Sequence, residues 1–169
     1  VDPEDIANPT VTLTAGAHTF TLVVTDNYGG VSEADTVTIS VNAAPVANAG
    51  VDQTVNLSTG TSTINVTLDG SASTDSDGTI VRYAWTGSLV NPDDIMQPVV
   101  SLAAGVYTVS HIVTDEDGAV SDADAVVITV NAPPTANAGS DRNINLPVGA
   151  TSIAVTLDGS ASTDNDGTI

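Results

Sequence analysis

A chain of 169 residues with 21 acidic side chains, two arginines and no lysine has a formal net charge of −19, which excludes several function classes at once. Nucleic acids are held by basic residues that displace phosphate counterions, and anionic membrane surfaces recruit the same residues, so neither is an expected partner. A hydrophobic fraction of 41% makes a packed core feasible without help from disulfides, as there is no cysteine, and no apolar run is long enough for a membrane-spanning helix.

The whole chain reads as strands. Val, Thr and Ile alternate with period two, and Gly, Asp, Asn and Pro punctuate them. LDGSASTDSDGTI at 68–80 returns as LDGSASTDNDGTI at 157–169, an offset of 157 − 68 = 89 residues. Such self-similarity at a fixed period decides the architecture before any single element does. Residues 1–43 match 90–132 and are read as the second half of a unit. Residues 44–132 are read as one whole unit. Residues 133–169 match 44–80 and are read as the first half of another.

Within the whole unit, strands are expected at 45–49, 53–57, 62–68, 80–86, 98–102, 106–114 and 123–131. In 62–68, Ile64, Val66 and Leu68 share one face, opposite Asn65 and Thr67. In 80–86, Ile80, Arg82 and Ala84 lie opposite Val81, Tyr83 and Trp85, with Tyr83 or Trp85 the expected core anchor; Gly78 in the preceding loop is expected at positive φ, and 87–92 is read as a looser stretch. Seven short antiparallel strands define an all-β fold: an immunoglobulin-like sandwich of about seven strands per 89-residue repeat, in tandem. The links Val41-Asn42-Ala43-Ala44-Pro45 and Val130-Asn131-Ala132-Pro133-Pro134 are too short and proline-rich to let neighbouring units tumble freely. Together, 133–169 and 1–43 would make one sandwich lacking only the counterpart of 81–89. The stretch is therefore expected to be a segment of a longer repeat protein, or else a chain whose halves are completed by successive copies head to tail.

Five motifs occur in a fixed order: Asn48-Ala49-Gly50-Val51-Asp52, the 68–80 loop, Tyr83-Ala84-Trp85, Ala104-Gly105-Val106-Tyr107-Thr108-Val109, and Val113-Thr114-Asp115-Glu116-Asp117-Gly118. In this order and at this spacing the chain resembles the polycystic-kidney-disease (PKD) domain family along its entire length. The resemblance implies a seven-stranded sandwich in the extracellular regions of surface proteins, secreted hydrolases and S-layers, serving as spacer, adhesion or glycan-contacting module. Where many members follow the tryptophan with Asp-Phe-Gly-Asp-Gly, this chain has Thr86-Gly87-Ser88-Leu89, so nothing tied to that acidic loop is carried over.

Calcium is the cofactor the residues point to. In such a sandwich the loop at 69–79, with Asp75 and Asp77, lies at the same end as the loop at 115–122, with Asp115 and Asp117, and the linker residue Asn42 falls nearby. Calcium takes six to eight oxygens from carboxylates, amides and carbonyls. The resemblance implies that Asp75, Asp77, Asp115 and Asn42 are the metal ligands, and that the ion stiffens the joint between units. The plainer reading is a turn, with aspartates bonding their own backbone.

Catalysis finds no support. His111 aligns with Leu22 and His18 with Tyr107, so both stand at packing positions, and Ser110 faces away from His111. Trp85 suits a core anchor better than a sugar platform. The glycosylation patterns at Asn56 and Asn65 are lost in the sister unit. The expected function is a non-enzymatic extracellular structural repeat: a stalk, adhesin or surface-filament segment. Its expected partners are neighbouring repeats or the same chain head to tail, with glycans or the cell surface as further contacts. The alternative is an accessory glycan- or surface-binding module of a larger secreted enzyme.

Overall fold

The computed structural model describes residues 7–87 and 94–169; of the stretch expected to be loose at 87–92, all but Gly87 lies outside them. Among the described residues there is no helix, and eight strands carry the fold. Strands β1 (Gly16–Leu22) and β2 (Asp35–Val41) form an antiparallel pair running from Gly16 opposite Val41 to Leu22 opposite Asp35. The remaining six are β3 (Gln53–Asn56), β4 (Ile64–Thr67), β5 (Ile80–Gly87), β6 (Val99–Leu102), β7 (Gly105–Asp115) and β8 (Asp124–Asn131).

These six make the sandwich. One sheet has the order β3-β8-β7-β5, with β3 parallel to β8 and the other neighbours antiparallel; the second sheet is β4 paired with β6. The period-two pattern explains how they meet. On β7 and β8, Val109, Val113, Val126, Ile128 and Val130 alternate with outward residues and are at most 1% exposed. Val66, Leu68 and Leu102 close the core from the other sheet. Trp85 is its largest side chain, 1% exposed, with the indole N–H donating to the Ile95 carbonyl at 3.0 Å. Satisfying that N–H is what makes a buried tryptophan tolerable. The expected core anchor is thus Trp85, and the His111 ring stacks on it with centroids 4.0 Å apart and on Tyr83 at 5.9 Å.

Three expectations change. No strand forms at 45–49; Val46 and Thr74 exchange a single pair of backbone hydrogen bonds of 2.7 and 3.0 Å. Pro45 has no N–H to extend that ladder. The strands expected at 62–68 and 98–102 contract to β4 and β6. On β5 a register shift between Ile80 and Arg82 turns Val81 outward, 61% exposed, while Tyr83 and Trp85 keep their inward places. A bulge reverses the alternation locally, and period-two counting does not detect it.

Candidate cation site at the joint

The two links leave β2 and β8 and are pinned by aspartates. Asp115 ends β7 at an inward position and is 1% exposed. A carboxylate so placed is tolerable only when hydrogen-bonded. Its Oδ2 accepts from the Asn42 side-chain amide at 2.8 Å and its Oδ1 from the Ala119 N–H at 2.7 Å. The Asn42 amide, helped by the loop N–H groups, holds the Asp115 carboxyl below the usual range against the opposing effect of burial. One residue on, the Ala43 N–H donates to Asp77 Oδ2 at 3.1 Å. The second link repeats the device, with the Ala132 N–H donating to Asp166 Oδ2 at 2.8 Å. Asp77 and Asp117 face Gly16, Ser40 and Asn42 across a cleft of about 440 Å³ between the β1–β2 pair and the sandwich.

The loop at 69–79 is both a turn and a presenter of oxygens. Asp75 Oδ1 accepts the Asp77 N–H at 3.3 Å, as Asp164 does from Asp166 at 3.4 Å, so the turn reading holds. Asp75 Oδ2, however, is buried and has no hydrogen-bond partner. Gly78 is not at positive φ. Glycine there leaves room for two carboxylates, because a Cβ would lie 3.0 Å from Asp75 Oδ2 and 2.8 Å from Glu116 Oε1 and would push these side chains aside. Glu116, absent from the expected site, ties the two loops together. Its Oε2 accepts from both the hydroxyl and the N–H of Thr79, and its own N–H donates to the Thr79 carbonyl at 3.2 Å. The Thr79 hydroxyl and N–H lower the Glu116 pKa. The sister unit has Asn27 at this position, so no repeated pattern marked it.

Of the four expected ligands, Asn42 and Asp115 are therefore in direct contact, Asp77 grips the adjacent linker N–H, and Asp75 offers an unpartnered oxygen beside Glu116. Among the described residues, no three acidic, histidine or cysteine side chains converge closely enough to hold a metal ion by themselves. A cation here needs amide or carbonyl oxygens from the linker as well, which is chemistry calcium accepts.

The histidines do structural work. His111 is fully buried, and burial pushes its pKa below 6.5. Its Nδ1 lies 3.2 Å from the Ala84 carbonyl and its Nε2 3.3 Å from Ser73 Oγ. Ser73 Oγ already accepts the Asn48 N–H at 3.0 Å, and Ser162 and Asn137 repeat that bond at 3.0 Å in the segment at 133–169. Ser73, whose contact with His111 the sequence did not reveal, thus also belongs to a recurring loop latch, although the contact with His111 itself is described in this unit alone. His18, with Nε2 at 2.8 Å from the Thr14 carbonyl, lies on β1, apart from it.

An acid-pinned, all-β immunoglobulin-like sandwich defines a class of small β modules. Within that class, residues 49–130 match the family described as "K319L-like, PKD domain", and the chain belongs to the PKD-domain family. It is 38% identical over 169 residues to the mouse dyslexia-associated protein KIAA0319-like protein, covering 90% of this chain and 15% of that protein. Against the human dyslexia-associated protein KIAA0319 it is 36% identical over 172 residues, covering 93% and 15%. The chain thus spans about 15% of the length of these relatives. Among solved structures it is similar to the PKD1 domain of Vibrio anguillarum Epp, at 33% identity and a TM-score of 0.43, covering 55% of this chain and all of that one.

Proposed function

We propose that this chain is a non-enzymatic structural segment of an extracellular or cell-surface protein, a stalk, adhesin or surface filament in which PKD-like units are held in line at short, clamped joints. The observation that carries the reading is the repeated linker bond: Ala43 to Asp77 at one joint and Ala132 to Asp166 at the next, 89 residues on. A clamp that recurs with the period belongs to the unit, and units clamped in this way propagate a direction rather than tumbling as beads. Family membership supports the non-enzymatic reading, and the Ser73–His111 contact is compatible with it, because the imidazole is fully buried against Trp85. The accessory glycan-binding alternative loses its aromatic platform, because Trp85 is buried in the core.

Calcium is the cation proposed for the joint. Asp75, Asp77 and Asp115, with the Asn42 side chain and linker carbonyls, would supply its oxygens, and the unpartnered Asp75 Oδ2 is the feature that fits. The ion would add positive charge among acids that otherwise repel one another, and so draw linker and loops together. Small-angle scattering and calcium-titration calorimetry on the chain test this. The expected result is heat of binding and a narrower distribution of end-to-end distances with calcium than with chelator. Identical profiles and no heat would remove the ion from the proposal and leave the hydrogen-bonded clamp.

A further inference from the structure

After the first link the chain enters the complete sandwich through residues 45–49, which are held by few bonds. Val46 and Thr74 exchange backbone hydrogen bonds of 2.7 and 3.0 Å. The Asn48 N–H donates to Ser73 Oγ at 3.0 Å, and the Ala49 N–H to Asp124 Oδ2 at 2.8 Å. The last two holds rest on side chains that flank one imidazole. Ser73 Oγ lies 3.3 Å from His111 Nε2, and Asp124 stands opposite His111 in the β7–β8 register. The ring turns its Nε2 edge to the loop at 69–79, where a Cβ on Gly70 would lie 2.7 Å from that nitrogen. The bond between serine and asparagine recurs at Ser162 and Asn137, whereas the equivalent of His111 is Leu22. The histidine is an addition to the latch in this unit.

We propose that His111 makes this entry acid-sensitive: protonation of its Nε2 unfastens residues 45–49 and the loop at 69–79 while the rest of the unit stays folded. The hydrogen bonds give the reason. The Ala84 carbonyl, 3.2 Å from Nδ1, can only accept, so Nδ1 carries the proton of the neutral ring and Nε2 accepts from the Ser73 hydroxyl. A second proton, on Nε2, forces that hydroxyl to turn. The acceptor left to it is the Asn48 carbonyl at 3.4 Å, near the limit of a hydrogen bond. The same charge draws on Asp124, whose Oδ2 holds the Ala49 N–H. Lifting the loop wets Nε2 and relieves both conflicts without parting the ring from Trp85, whose centroid is 4.0 Å away. The other ionisable groups around the ring offer Nε2 no partner. Tyr83 on β5 stacks on the ring, and Asp69 beside Gly70 is bonded to Ser71 and Gln97. The next charged residue on this face of β7 is Asp115, bonded to Asn42 and Ala119. Asp124 favours the imidazolium, but burial outweighs it and keeps the ring's pKa below 6.5.

The inference does not depend on the cation proposed for the joint, so the test is run in chelator, where its failure leaves the calcium titration untouched. Amide hydrogen exchange of the 169-residue chain is followed by NMR from about pH 7.5 to about pH 5, with and without low urea. Global unfolding exposes much surface and responds to urea, whereas a local opening does not. The Asn48 and Ala49 amides are expected to exchange through an opening that ignores urea. Their protection should be constant above pH 6.5 and fall below it by up to about tenfold per pH unit, because the opening takes up one proton. Core amides of β7 and β8 should stay far better protected and exchange only through the urea-sensitive route, and the fluorescence of Trp85, the single tryptophan, should show a folded unit throughout. His111→Gln keeps a hydrogen-bonding side chain that does not titrate, and His111→Leu installs the residue found at 22; either should remove the pH dependence at 48 and 49. Three results would overturn the proposal: protection at 48 and 49 that ignores pH, a pH dependence that survives in either folded variant, or a urea response equal to that of the core amides. The last would mean that these residues are released only when the whole unit unfolds.

Discussion

Val126 and Val37 hold the same place in the 89-residue period, as do Ile128 and Ile39, yet one pair is sealed in a core and the other faces water. The difference lies in what surrounds them. Around β8 the chain supplies β3 on one side and β7 on the other; around β2 it supplies only β1. β1 and β2 still form because each is the other's antiparallel neighbour within a single stretch of chain. Residues 142–145 and 153–156 do not form strands, although their equivalents do. Strand formation here follows the availability of a pairing partner more than local propensity, as expected when β-propensity reflects fit to a half-buried surface.

The largest effect is expected where the complete unit is most tightly filled. Trp85→Ala removes the biggest buried side chain and strands the Ile95 carbonyl and the His111 ring that rest on it. Urea unfolding followed by circular dichroism should show a loss of about 3–5 kcal/mol. An unchanged midpoint would mean that this unit is not the stable centre of the chain.

The equivalent pair gives the sharpest contrast. Ile128→Ala should cost about 2–5 kcal/mol, because its surroundings cannot collapse onto the cavity. Ile39→Ala, made at its equivalent and measured on dilute chain, should cost no more than about 0.5 kcal/mol, as for an exposed surface site. Equal costs would show that the β1–β2 face is covered even in dilute solution.

His111 separates the two regions by pH. Burial lowers its pKa below 6.5, outweighing the Ala84 carbonyl and the Asp124 charge, which both act to raise it. The folded state then binds fewer protons than the unfolded one, so stability rises with pH. It is complete above pH 6.5 and is lost as pH falls through the depressed folded value. His111→Leu, which installs the residue found at 22, should abolish this slope between pH 6.5 and the acid range where Asp115 and Glu116 begin to protonate. Denaturation midpoints measured across that window check it; a slope that persists places the titration elsewhere.

Much of this was readable from residues alone, because it depends on local period and on loop order. The alternation of Ile64, Val66 and Leu68, the inward Trp85, and the meeting of Asn42 with Asp115 all follow from counting strands and asking which loops share an end. What was not readable depends on register between distant strands. The bulge that expels Val81, the failure of 45–49 to pair beyond Val46, and the bonds of Glu116 to Thr79 are set by how strands slide on one another. No local pattern encodes that sliding.

An effect on stability smaller than that of emptying the Trp85 site is expected at the joint, where the complete unit meets the exposed hairpin. Asn42→Ala deletes the amide that donates to Asp115 but leaves every core residue in place. The loss of a donor to the buried Asp115 carboxylate should cost about 1–3 kcal/mol, and the scattering-derived distribution of end-to-end distances should broaden, because the linker loses one of its two anchors. Asp77→Asn then separates the remaining causes. An asparagine keeps an oxygen that can accept the Ala43 N–H but removes the charge that would hold a cation. If the hydrogen bond alone sets the angle, this variant in chelator should match the unmodified chain. If an ion adds to it, the two should diverge only when calcium is present. Divergence in chelator would show that the Asp77 charge, and neither the bond nor the ion, orders the linker.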